Sequence, residues 1–415
     1  MVNALSLVLV GLMARELGGR RPAQLLALAA ALPFALAFSF VLQYNTFDLF
    51  AWCVVVLFTA RLLRSQDERN WIGVGVGIGL GVLSKYSIVF LALSLLAGLI
   101  LLPSQRKHFR SRWFWLGILT AAIIAAPNLI WLANHHFITL QMEHSVHLRD
   151  IRIGRADGFY TDQLKLTLLA FPLAVAGLIA LLRNARFRLL SFCFLGPFVL
   201  LALAKGRGYY LIPAYPILYA VGAVAFERAL APRRRWTRIT IRTGVASALL
   251  LGVAAIAWWC MPIWPVGSHV WNWQMKNNDD MANEVGWPEF VQQVAAVRDS
   301  LPPADRAHLG IIAHNYGEAG ALELYGPQYG LPTPISGTNS FYARGYGAVP
   351  PETVIVVGTD LDDQLGSFQT CTIAARVWLP YGVRNEETDY HPEILVCHEL
   401  RGSWAERWSQ SQEFG

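Results

Sequence analysis

Charged side chains are scarce in this sequence. Asp, Glu, Lys and Arg make up 15% of its 415 residues, where a soluble domain carries about 25%. Acidic residues are scarcer still in the first 262 positions, which hold 9 Asp and Glu against 26 Lys and Arg. There are only 5 cysteines, and none lies in a CxxC or His/Cys spacing of the zinc-binding kind. These shortages exclude a disordered chain, a disulfide scaffold and a soluble enzyme with one core, because such cores stop growing near ~250–300 residues. The net charge of +6 is an average of two unlike parts. Residues 263–415 reverse the balance, with 8 basic against 19 acidic. The positive charge of the first part sits between apolar segments and not on a soluble face, which argues against nucleic acid as a partner.

What is present is apolar: 54% of the chain is hydrophobic. A helix needs roughly 20 apolar residues to cross a bilayer. Ten stretches meet or approach that: 3–17, 22–42, 48–63, 71–84, 87–102, 113–134, 164–182, 188–204, 211–230 and 244–262. Alternate connections between them hold 19 of the 26 cations, including Arg20, Arg64, Arg110, Arg186 and Arg233–Arg235; the other set holds 7. Cations concentrate on the cytoplasmic side. The loops at 44–47, 85–86, 135–163 and 205–210 therefore face outward, and so does the tail. In this topology the chain starts outside, with Met1 beside the first apolar residue and no basic leader before it.

The expected fold is a polytopic α-helical membrane protein of about ten transmembrane helices, residues 1–262, with a small extracytoplasmic α/β domain at 263–415. In the tail, Glu289–Ser300 has the amphipathic helix pattern. Leu309–His314 and Thr353–Gly358 read as buried strands, and Glu318–Leu324 as a helix between them. Cys371 and Cys397 lie among apparent strands, either disulfide-bonded, as an oxidising compartment permits, or as two buried thiols. Gly73, Gly77 and Gly81 form a small-xxx-small face for helix packing and not a phosphate loop.

Polar residues at outer helix ends carry the functional signal, since ionisable groups at membrane depth are expensive. Tyr44-Asn45-Thr46-Phe47-Asp48 ends on a carboxylate that either caps a helix or faces an outer cavity. Lys85 and Tyr86 break two apolar runs, where the lysine either snorkels or meets an anionic head group. The connection 141–163 holds His144, His147 and Gln163; it reads as a solvated mixed-charge loop or as a contact for a divalent metal or a phosphate. The strongest signal is Lys205-Gly206-Arg207-Gly208-Tyr209-Tyr210-Leu211-Ile212-Pro213-Ala214-Tyr215-Pro216. It sets two cations and two tyrosines where the orientation rule disfavours charge, with glycines that let a backbone approach a ligand. A snorkelling aromatic belt is the plainer reading; recognition of a lipid-linked phosphate is the sharper one.

That stretch, Asn45-Thr46-Phe47-Asp48, Ser84-Lys85-Tyr86-Ser87 and Ala126-Pro127-Asn128-Leu129-Ile130-Trp131, in this order, resemble bacterial glycosyltransferase family 39. Its members are relatives of protein O-mannosyltransferases and lipid A aminoarabinose transferases. The tail, through Tyr316-Gly317-Glu318-Ala319 and Ser336–Ser340, is similar to the outer domain of one branch. The resemblance implies a multi-pass C-type enzyme of the bacterial inner membrane. Such an enzyme moves a hexosyl or pentosyl unit from a polyprenyl phosphate to a glycan, lipid or protein acceptor, with inversion. It implies Lys205, Arg207, Tyr209 and Tyr210 at the donor phosphate, Asn45, Lys85, Tyr86, His144, His147 and Gln163 lining the cavity, and Asp48 as the catalytic carboxylate. The family's main catalytic acid lies in a first outer loop with no counterpart here, so the resemblance also implies a truncated and, alone, inactive chain. A non-catalytic membrane-anchored binding protein and, behind it, a transporter are the competing classes. The outer-rim clustering and the lack of an internal repeat disfavour the transporter.

Overall fold

The computed structural model describes residues 1–39, 43–155 and 157–414. The chain divides into two compact units, Met1–Met261 and Pro262–Gly415.

The described residues of the first unit form helices and no strand: α1 (Val2–Glu16), α2 (Arg21–Ala37), α3 (Tyr44–Ser65), α4 (Asn70–Ser84), α5 (Ile88–Leu101), α6 (Arg112–Asn134), α7 (Ile138–Arg152), α8 (Phe159–Thr167), α9 (Phe171–Arg183), α10 (Leu189–Leu203), α11 (Tyr215–Leu230) and α12 (Arg235–Cys260). All ten apolar stretches are helical, although the end of the second, 40–42, lies outside the described residues. Among the described residues five helices are long and apolar enough to span a membrane: α3, α6, α8 with α9, α11 with the turn before it, and α12. A sixth span is possible by length only if α5 is joined to the short helix Pro103–Arg110, from which it is bent by 110°. The other helices run 14 to 17 residues, or about 21–26 Å, short of a ~30 Å hydrocarbon core. The expectation of about ten membrane helices, some of them short, is roughly met, with the shorter ones falling below a full span.

Helices α3 and α11 form the centre, with 78% of their apolar windows buried, whereas α12 buries 11%. Glycine sets how closely α4 packs. A Cβ on Gly73 or Gly77 would lie 2.3 Å from Phe58 or 2.7 Å from Val55 of α3, and one on Gly75 would lie 2.0 Å from the Gly117 carbonyl of α6. The run therefore has two contact faces, not the single one expected.

The Arg-rich connections gather at one end of the bundle. Arg61 and Arg64 pair with Glu16 at 3.2 and 2.8 Å, His108 bonds Glu68, Lys107 bonds Gln66, and Arg186 bonds the Leu63 and Arg64 carbonyls. The 22 residues of α3 carry the chain ~33 Å from this end to Tyr44. The two sets of connections thus lie at opposite ends of α3.

The connection at 135–163, read as a loop, is mostly α7. Ile138, Met142, Val146 and Asp150 recur at four-residue spacing and turn one face inward, with Asp150 fully buried and the other three half-buried.

The second unit holds a four-stranded sheet of β1 (Leu309–Ala313), β2 (Thr353–Val357), β3 (Phe368–Arg376) and β4 (Glu393–Leu400) in the order β1-β2-β4-β3. β1 and β2 are parallel, and β4 is antiparallel to both its neighbours. The helices Trp287–Ser300 and Tyr316–Tyr325 match the two expected from sequence. β2 is buried along its whole length, as its unbroken apolar run requires. Cys371 and Cys397 are directly opposed on β3 and β4 and form a disulfide.

Candidate active site

The outer-end residues converge on one cation. Lys85 follows the last turn of α4, where the chain leaves the helix in an extended conformation. Its Nζ donates to Asn45 Oδ1 at 3.0 Å. Three tyrosine rings surround it, with centroids at 5.0 Å (Tyr44), 5.2 Å (Tyr209) and 4.2 Å (Tyr210). Aromatic faces attract a cation while leaving its hydrogen-bond donors available to a stronger acceptor. No carboxylate lies within 4.0 Å of Lys85 among the described residues. Tyr86, next in the chain, donates to Asn128 Oδ1 at 2.8 Å and ties the α4–α5 break to α6.

Asp48 does not face an open cavity. It is 1% exposed, and both its oxygens accept from Ser87 Oγ at 2.8 and 2.9 Å. It sits one turn below Asn45 and fixes the start of α5 beside Lys85. Gln163 is also buried and committed: it donates to the Gly208 carbonyl at 3.2 Å and accepts from Tyr215 at 3.0 Å.

Lys205 and Arg207 part company. Lys205 is exposed, with a left-handed φ of 49°. Arg207 makes a two-pronged ion pair with Asp150 of α7, at 2.5 and 2.7 Å, and reaches the Tyr209 hydroxyl at 3.5 Å. Burial alone would raise the Asp150 carboxyl, but hydrogen bonds from Arg207 and its charge, with Arg149 and Arg155 adding to it, hold it below the usual carboxylate range. The guanidinium expected to be free for a phosphate is thus already matched. The glycines of this stretch serve packing: a Cβ on Gly208 would lie 2.4 Å from the Asp162 Cβ of α8, and one on Gly206 would lie 2.9 Å from Leu201.

His144 is exposed and His147 half-buried on α7. Among the described residues no three His, Cys, Asp or Glu side chains form a metal-holding group, so no residue is assigned to the divalent ion considered above. Sequence reasoning undervalued Tyr44, Ser87, Asn128 and Asp150. Ser87 and Asn128 stood inside the stretches that carried the resemblance, Tyr44 stood directly before one of them, and Asp150 stood in the connection left open between a solvated loop and a metal or phosphate contact.

Residues 1–131 match the family model of dolichyl-phosphate-mannose-protein mannosyltransferases. That range includes Tyr44, Asn45, Asp48, Lys85, Ser87 and Asn128. The fold is similar to that of ArnT from Cupriavidus metallidurans in two crystal structures. The match to ArnT bound to undecaprenyl phosphate has a TM-score of 0.52 at 14% identity, and the match to its apo state 0.53 at 13%; each covers 95% of this chain and 82% of ArnT. A search of curated proteins finds no match. The chain is thus similar to glycosyltransferase family 39 in its first 131 residues and carries an ArnT-like fold with a small C-terminal sheet domain.

Proposed function

We propose that the chain is a membrane glycosyltransferase that takes its sugar from a polyprenyl phosphate at the Lys85 cage. The carrying observation is the cage itself: one ammonium among three tyrosines, with no carboxylate within 4.0 Å among the described residues, held by Asn45 at a helix break. The likeness to a protein solved with undecaprenyl phosphate supports the same lipid class here. In transfer the acceptor oxygen or nitrogen bonds to the anomeric carbon as the bond from that carbon to the lipid phosphate breaks. Negative charge grows on the departing phosphate, and a fixed cation there lowers the barrier. Lys85 supplies it, with the Tyr209 and Tyr210 hydroxyls as further donors and Lys205 at the rim.

Two of the expected roles change under this reading. Arg207 is a positioning residue, holding the tyrosines through Asp150. Asp48, enclosed by Ser87, positions Lys85 and the α5 start. The acceptor's proton then needs an accessible carboxylate, and exposed Glu143 of α7, whose charge acts on Tyr44, Lys85 and Tyr210, is the candidate. The cage end is extracytoplasmic by the orientation rule, because the Arg-rich end lies opposite. The disulfide supports the same side for the second unit. Bacterial inner membrane is the location this implies.

The test is binding of undecaprenyl phosphate to the purified chain in detergent, with Lys85→Met beside it. Wild type should bind, and Lys85→Met should lose tenfold or more. Absent binding by wild type, or equal binding by a folded Lys85→Met, overturns the proposal.

A further inference from the structure

The second unit contains a cavity of about 410 Å³ that the membrane site does not use. It lies between the end of β1, the Gly337–Thr338 segment and the helix Trp404–Gln410. A volume of that order suits one small ligand. Its lining combines three kinds of group.

The first is cationic. Arg401 and Arg407 both line the cavity, and neither has a carboxylate within 4.0 Å among the described residues. Each is oriented by one bond: Arg401 Nε donates to the Phe368 carbonyl at 3.0 Å, and an Arg407 Nη donates to Gln364 Oε1 at 3.1 Å. Arg407 also lies over the Phe368 ring, 5.0 Å from its centroid. A guanidinium has five N–H donors in a rigid fork, so most of both forks stays unspent. Burial works against the Arg407 charge, and no acidic neighbour offsets it.

The second kind is a buried polar relay. Gln364, 3% exposed, donates to Thr359 Oγ1 at 3.2 Å and meets His314 Nε2 at 3.3 Å. Burial, followed by the nearby Arg407 charge, lowers His314 to a pKa of about 4, so it is neutral at pH 7. The third kind is aromatic. Trp404 and Trp408 both line the cavity and are held by ring contacts to Tyr346 and Tyr342 at 5.6 and 5.2 Å. Two carboxylates reach the lining too. Glu406 is bonded to Ser403 at 2.9 Å, and Glu413 stands on the segment that bridges to Thr338.

We infer that this cavity binds a single sugar ring bearing one anionic group, a carboxylate or a phosphate. Oriented guanidiniums without counter-ions recognise the anion bidentately. Indole surfaces pack on a sugar ring, and buried Gln364, held by Thr359 and His314, fixes the Arg407 fork without adding charge. The inference stands on the second unit alone and does not depend on the transferase reading.

The experiment is equilibrium binding to the purified full chain, read by tryptophan fluorescence and calorimetry. The probes are D-glucuronate, glucose 6-phosphate, D-glucose and inorganic phosphate. At least one acidic sugar should bind tenfold or more tightly than glucose and than inorganic phosphate. Arg407→Gln should weaken it tenfold or more. Exposed Arg401→Gln, which spares the half-buried position, should weaken it in the same direction. Lys85→Met should leave it unchanged, which separates this site from the membrane one. The inference is overturned if neither acidic sugar binds, if glucose or inorganic phosphate binds equally well, or if both arginine variants bind like wild type. Which acidic sugar wins distinguishes a uronic acid from a sugar phosphate.

Discussion

The Arg207–Asp150 pair decides whether the outer turn recognises the donor or builds the cage. It is a two-pronged charge pair whose side chains are 19% and 6% exposed. Hydrogen bonds to charged groups contribute about 1.5–3 kcal/mol each, and breaking a buried pair costs about 3–5 kcal/mol. With partial exposure of Arg207, Arg207→Gln should loosen the turn by on the order of 2–4 kcal/mol, and Asp150→Asn by less, because one hydrogen bond survives. The turn carries Tyr209 and Tyr210 against Lys85, and a displacement near 1 Å at a reacting site costs about a hundredfold. Both single variants should therefore lower kcat by about 10–100-fold with a smaller change in donor KM. The double variant should be no worse than Arg207→Gln. The assay is transfer from a polyprenyl-phosphate sugar, with kcat and KM separated and thermal unfolding followed in parallel. A phosphate-binding Arg207 behaves differently: Arg207→Gln raises donor KM, and Asp150→Asn lowers it by freeing the guanidinium. That outcome would refute the positioning role. Asp150 is held low, so the pair is complete above the ordinary carboxylate range and is lost only as pH falls through the lower folded value. Activity near neutral pH should show no step from this pair.

Other outcomes follow from single contacts. Tyr210→Phe keeps the ring 4.2 Å from Lys85 and should hold donor affinity within about threefold, while Tyr210→Leu loses a cation–π contact of roughly 0.5–2 kcal/mol, or about 2–30-fold; titration with undecaprenyl phosphate checks both. Gly208→Ala drives a Cβ to 2.4 Å from Asp162 and should destabilise by about 1–3 kcal/mol in detergent unfolding. Removing the Cys371–Cys397 link, 26 residues apart, should cost the second unit about 2–4 kcal/mol, read by its unfolding with and without reductant. In that unit, burial and the neighbouring Glu387 raise the Glu318 carboxyl well above its usual range. A raised acid stabilises below its unfolded pKa and loses that contribution as pH rises through its folded pKa. Thermal stability of the second unit should fall as pH rises from about 4.5, and Glu318→Gln should flatten that slope.

Helix existence was readable because apolar runs bounded by arginines have one physical solution in a bilayer. Helix length was less readable. Hydropathy counts apolar residues, but it does not record where a chain bends, as Pro103 does after α5. The connection at 141–163 was misread for a related reason. Its stripe of Ile138, Met142, Val146 and Asp150 ends on a carboxylate, and charge density on the opposite face hid a half-buried helix. In the second unit the fully buried β2 announced itself as Val-Ile-Val-Val. β3, exposed along most of its length, had only its cysteine to mark it.

The site was legible as a set of stretches but not as a hierarchy. Lys205 and Arg207 stood out because two cations at an outer helix end violate an orientation rule. The same rule cannot say which cation already has a partner. Asp150 answers that for Arg207, 57 residues away along the chain. Lys85 drew less weight because one lysine at a helix break is common. Its meaning depends on Tyr44, Tyr209 and Tyr210 arriving from two distant segments, and sequence alone does not report that meeting. Asp48 shows the converse error, since a carboxylate at a helix start looks available until Ser87, 39 residues on, takes both its oxygens. In a site built at helix ends, the residue to assign to chemistry is therefore the ion left without a counter-ion. By that criterion the membrane unit points to Lys85, with Lys205 at its rim, and the second unit to Arg401 and Arg407, two centres whose loss should be separable in one set of binding measurements.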